Sequence, residues 1–112
     1  MRILMSALQP GGGIRTFFRY IYSQPCFSEC SFTLVAPGRS LADFLAEFIP
    51  DNRITVVPAR QGNLAFTRQL RELIADGDFQ LVHSHGFSAG LLTELARTGY
   101  RIPHLMTAHD VF

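Results

Sequence analysis

Apolar residues fall into short continuous runs that alternate with segments of helical spacing. Arg2-Ile3-Leu4-Met5-Ser6-Ala7-Leu8 is a strand-like run, interrupted only by Ser6. From Ile14 to Ser23 the apolar positions Ile14, Phe17, Phe18 and Ile21 recur at helical spacing. Ser31 to Ala36 predicts a second strand, ended by Pro37-Gly38. Ser40 then reads as a helix cap, with Asp43 three residues on and a stripe of Leu41, Phe44, Leu45 and Phe48 that stops at Pro50. A third strand covers Arg53 to Val57. A third helix carries Leu64, Thr67, Leu70, Leu73 and Ile74 and closes at Gly77. Gln80 to Ser84 is the fourth strand. Ser88 caps a helix bearing Leu91, Leu92 and Leu95, and Gly99 ends it. Pro103 to Thr107 is the fifth strand, with its proline at the tolerated first position.

Four β-α units and a closing strand predict an α/β fold, a parallel sheet of about five strands with helices on both faces. Strand orders 3-2-1-4-5 and 2-1-3-4-5 both suit such a chain, and the first, Rossmann-like order is the expected one. With 112 residues there is room for one domain. A hydrophobic content of 47% against 17% charged residues supports a real core and argues against disorder.

Net charge is +1 with no basic block, which argues against a nucleic-acid surface. The ten basic residues are all arginine, so lysine Schiff-base and P-loop chemistry is excluded within this chain. Cys26 and Cys30 lack a second Cys/His pair at zinc-finger distance and read as small residues of the first crossover in a reducing, cytoplasmic setting. The first apolar run is too short to span a membrane and lacks a signal-peptide pattern. Phe17, Phe18, Tyr20 and Tyr22 crowd the first helix beyond the needs of one face, making it a candidate surface for a partner domain or a membrane. The fifth strand is an expected sheet edge with apolar residues on both faces, and it predicts a symmetric dimer through that edge or through the aromatic helix.

Ligands of open parallel sheets bind beyond the carboxyl ends of the strands, where the order reverses. Here that is the crevice between strands one and four. Gly11-Gly12-Gly13 joins the first strand to the first helix, where free N–H groups favour an anion such as phosphate. The same glycines could simply form a tight turn. Arg15, in the first helical turn, could pair with that anion. Arg19 reads as a solvated residue. His83 and His85 share a face of the fourth strand if both lie on it. An H-x-H pair can bind metal, but no carboxylate set surrounds it, so His83 is expected to be a packed strand residue and His85 a loop residue that hydrogen-bonds a sugar hydroxyl or phosphate. His109 and Asp110 follow the fifth strand. His109 could donate to a ligand or move a proton, and Asp110 could face the ligand or cap a helix. His104, at the other end of that strand, is expected to be structural. The dinucleotide fingerprint fails, because Thr16 stands where its third glycine or alanine would be.

Three segments resemble the N-terminal domain of the retaining GT-B glycosyltransferases of the group 1, or family four, type. The first is Met1-Arg2-Ile3-Leu4 leading through Pro10-Gly11-Gly12-Gly13 to Arg15. The second is Phe79-Gln80-Leu81-Val82-His83-Ser84-His85-Gly86, similar to that family's D-x-V-H-x-H strand. Asp78, rather than residue 79, carries the acid before it, a one-place departure. The third is Ile102 to Phe112, similar to I-P-x-x-x-T-x-H-D-x-F. The resemblance implies that residues 1–112 are the acceptor-side, N-terminal domain of a longer enzyme and are inactive alone. A second, C-terminal domain would hold most of a nucleotide-sugar donor, and the acceptor would be a hydroxyl of a sugar, lipid or other molecule. It further implies Gly12 and Gly13 facing the donor diphosphate, His109 facing the transferred sugar, and no cofactor or divalent metal. The alternatives from the residues themselves are a stand-alone Rossmann- or flavodoxin-like module for a small phosphorylated ligand, and a metal-dependent hydrolase using His83, His85 and His109.

Overall fold

The structure is a computed structural model that describes residues 1–9, 12–38, 40–47, 49 and 53–108, with backbone alone for 12–14, 40 and 42. Its strands are β1 (Arg2–Ala7), β2 (Ser31–Ala36), β3 (Ile54–Pro58), β4 (Leu81–His85) and β5 (His104–Thr107). Its α-helices are α1 (Gly12–Phe17), α2 (Ser40–Leu45), α3 (Asn63–Asp76) and α4 (Phe87–Ala96). All five strands are parallel, in the order β3-β2-β1-β4-β5 that the alternating pattern predicts.

β1 is flanked on both sides, and Ile3 to Ala7 are all buried, as a central parallel strand requires. Its alternate residues feed two cores. Ile3, Met5 and Ala7 pack with Phe18, Tyr22, Phe32, Leu34, Leu41 and Leu45 under α1 and α2. Leu4 packs with Val35, Phe66, Leu70, Val82 and Ala96 under α3 and α4. The reversal of strand order at β1 and β4 is what sends the first two helices to one face and the last two to the other. Among the described residues no helix is long and apolar enough to cross a membrane.

Several boundaries differ from the sequence reading. The first helix starts at Gly12, so Gly12 and Gly13 form its first turn rather than a separate loop. After Phe17 the chain widens into a π-helical turn, Phe18–Tyr22. Phe18 and Tyr22 point into the core while Tyr20 and Ile21 face outward, 57% and 42% exposed. α4 is entered through Gly86, whose φ of 92° suits glycine, so Ser88 lies inside the helix and is not its cap. At the end of α3, Gly77 keeps a right-handed conformation and Asp78 takes the positive φ, 55°. Glycine is needed at 77 for another reason: a Cβ there would stand 2.1 Å from the Phe79 ring and 2.5 Å from the Leu73 carbonyl. The tail of the α2 stripe, Phe48 and Pro50, lies outside the described residues.

Candidate functional site

The carboxyl ends of β1, β4 and β5 are level. The register aligns Ala7 with His85 and His85 with Thr107, so the three strands finish in one row. Gly12 starts α1 a few residues beyond Ala7, and Gly86 turns the chain from His85 into α4. The sequence expectation that these three ends meet at the reversal point of the sheet therefore holds.

Histidines line the α1 side of this row. His83 and His85 have ring centroids 4.1 Å apart, and both are buried. Phe17 meets each ring edge-on, at 5.3 and 5.4 Å, and Phe18 lies 5.3 Å from His85. His85 is thus the last residue of β4, under aromatic cover, not a loop residue. The cause is the length of β4, which runs one residue past Ser84 to stay paired with Thr107.

Both ring nitrogens of His83 meet hydroxyl groups. The Tyr22 hydroxyl hydrogen-bonds Nδ1, and Nε2 lies 2.6 Å from Thr107 Oγ1. This is the packed-strand role expected for His83, and a metal ion would have to displace one of these partners. Among the described residues no three His, Cys, Asp or Glu side chains cluster as a metal site. Burial raises the Tyr22 pKa far above its ordinary value, with a smaller push from Cys30, so the phenol stays protonated.

Arg15 is half-buried, its guanidinium over the Phe44 ring of α2 at 5.3 Å. Arg19 is exposed and stacks on Tyr20 at 5.4 Å. His109 and Asp110 lie outside the described residues.

A second polar chain crosses the opposite face of β4 and β5. Ser84 Oγ lies 2.7 Å from His104 Nε2, and His104 Nδ1 lies 2.8 Å from Glu94 Oε2. Arg97 forks onto Glu94 with bonds of 2.6 and 2.8 Å and donates to the Ile102 carbonyl. Its hydrogen bonds, followed by those of His104, hold the Glu94 pKa down at about 2. The connectivity is that of a nucleophile, base and carboxylate. Ser84, however, is fully buried beside Gly90 and Met106, so this chain braces α4 against the sheet. His104 is structural, as expected. Deeper in, Ser6 Oγ meets Thr93 Oγ1 at 2.7 Å, both fully buried, which ties α4 to β1.

Sequence reasoning passed over Tyr22 and Thr107 as functional residues. The available signal was the four-residue spacing of Phe18 and Tyr22, which puts a phenol on the buried face. The His83 nitrogen that it meets, and the Thr107 hydroxyl beyond, were not legible, because they depend on the π-helical turn and on the strand register.

Comparison with curated proteins finds no match. Residues 12–112 nevertheless match the glycosyl transferase 4-like domain, and the chain belongs to that family.

Proposed function

We propose that this glycosyltransferase-type domain is the acceptor-side half of a retaining GT-B enzyme. In this reading a sugar leaves a nucleotide-sugar donor held mainly by a second domain. It passes to a hydroxyl of a sugar, lipid or other acceptor in the cleft between the two. The observation that carries the reading is the family match across residues 12–112.

The chemistry asks for positive potential where the diphosphate departs. Gly12 and Gly13 open α1, whose N-terminal N–H groups and dipole favour negative charge, and their lack of side chains leaves the backbone approachable. Arg15 adds a full charge one turn on. In this reading His109 serves the transferred sugar, and Asp110 and His85 are further substrate-binding residues. No cofactor is required. The domain is inactive alone, because donor-binding groups are supplied by the second domain.

The test is a titration of the isotope-labelled chain with UDP-glucose, UDP-N-acetylglucosamine and GDP-mannose, followed by amide NMR. At least one should shift the Gly12 and Gly13 amides, and Gly13→Val should abolish the shift while the spectrum stays folded. No shift from any of the three would remove Gly12 and Gly13 from the donor site. Sugar transfer by the purified 112-residue chain would refute its description as half of an active unit.

A further inference from the structure

The Tyr22 ring is enclosed by Phe17, Phe18, Phe27 and Phe32, with centroids 5.0 to 5.5 Å away. Among the described residues its hydroxyl is hydrogen-bonded to His83 Nδ1. A phenol has one hydrogen to give, and a neutral imidazole has one donor and one acceptor nitrogen. If Nδ1 carried the proton and donated to Tyr22, the phenol hydrogen would be left, among the described residues, facing aromatic rings with no acceptor, an arrangement that proteins avoid. Tyr22 therefore donates, Nδ1 accepts, and the ring proton resides on Nε2. That N–H is directed at Thr107 Oγ1, 2.6 Å away. The threonine hydroxyl accepts it, and its own hydrogen turns away from His83. Thr107 is half-buried, closes β5, and lies level with His85 and Ala7 at the reversal point of the sheet. Burial keeps the phenol protonated, so the direction of the chain is fixed at physiological pH.

We infer that Tyr22, His83 and Thr107 form an oriented hydrogen-bond relay that presents the Thr107 hydroxyl, hydrogen outward, to a hydroxyl oxygen of the sugar-bearing substrate. The identity of the ligand rests on the functional reading above, and the orientation rests on the geometry alone. Thr107 is then a binding residue. Tyr22 and His83 are positioning residues that act through it. The π-helical turn serves the relay by bringing a phenol from the end of the first helix onto β4.

Two measurements test it. In the chain labelled with ¹⁵N-histidine, long-range ¹H–¹⁵N correlation should show His83 protonated at Nε2 and bare at Nδ1. The opposite tautomer would overturn the relay. In titrations with UDP-glucose, UDP-N-acetylglucosamine and GDP-mannose, the probe that shifts Gly12 and Gly13 should also shift Thr107. Thr107→Val should weaken that probe about tenfold, the scale of one lost hydrogen bond. Thr107→Ser, which keeps the hydroxyl, should restore binding to within about twofold of the parent. Tyr22→Phe should weaken it by a smaller factor without contact to the probe. Shifts at Gly12 and Gly13 with Thr107 silent, or Thr107→Val binding like the parent, would overturn the relay and leave the functional reading standing. Silence at all three residues would remove the assignment of Gly12 and Gly13 and overturn the ligand role of Thr107 with it.

Discussion

Replacing Thr93 by valine tests the buried contact between β1 and α4. The shapes are nearly equal, so the change removes a hydroxyl and little else. Ser6 Oγ, 2.7 Å from Thr93 Oγ1 and fully buried, then loses its partner in the centre of the sheet. A buried polar group left in this way costs about 1–3 kcal/mol. Ser6→Ala should cost less, because the Thr93 hydroxyl can turn back to a carbonyl one turn earlier in its own helix. Removing both hydroxyls leaves no orphan, so Ser6→Ala/Thr93→Val should recover most of the loss. For 112 residues the unfolding entropy of about 2.1 cal/mol/K per residue converts 1 kcal/mol into about 4 °C of Tm. Thermal unfolding followed by circular dichroism should therefore place Thr93→Val about 8 °C below the parent, with the double variant close to the parent. A double variant no more stable than Thr93→Val alone would refute the argument, because the cost would then lie in packing and not in an unpaired hydroxyl.

Glu94, held at about pKa 2 by Arg97 and then His104, contributes stability that is present above its unfolded value near 4.5 and lost as pH falls toward about 2. Tm should fall through that window, Glu94→Gln should flatten the fall, and added salt should shrink the difference because Glu94 is exposed. In an enzyme that also carries a donor domain, His109→Ala is expected to lower kcat by ~10² or more. His104→Ala should instead lower Tm and spare kcat, and equal kcat effects would remove the assignment of His109. Leu105 and Met106, 50% and 45% exposed on opposite faces of β5, are the residues through which the expected self-association would run. Sedimentation across concentrations should show dimers, and a monomer throughout would refute it.

The fold was legible because each strand is a compact apolar run and each helix carries a stripe, so order and layering follow from alternation. The level strand ends were legible for the same reason: Ala7, His85 and Thr107 align once the strands are ordered. What escaped depends on partners distant in sequence. Ser6 looked like an interruption of β1, yet its partner stands 87 residues away on α4. Gly77 looked like a simple helix stop, whereas its smallness answers the Phe79 ring and Asp78 takes the left-handed turn. His85 looked like a loop residue because strand length was judged from β4 alone, without Thr107 opposite to extend it.

The central position of β1 has a consequence for the order in which the chain is made. Its register partners are Phe32 on one side and Leu81 on the other, both facing Ile3. One edge of β1 can be satisfied soon after β2 leaves the ribosome. The other waits for 45 further residues, from Ala36 to Leu81. At synthesis rates of about 5–20 residues per second, that edge stays open for about 2 to 9 s. Throughout that interval the nascent protein carries an apolar strand with unpaired backbone groups, the surface that recruits chaperones or a neighbouring nascent chain. Synthesis speed between Ala36 and Leu81 thus sets how long the growing polypeptide is exposed to misassembly.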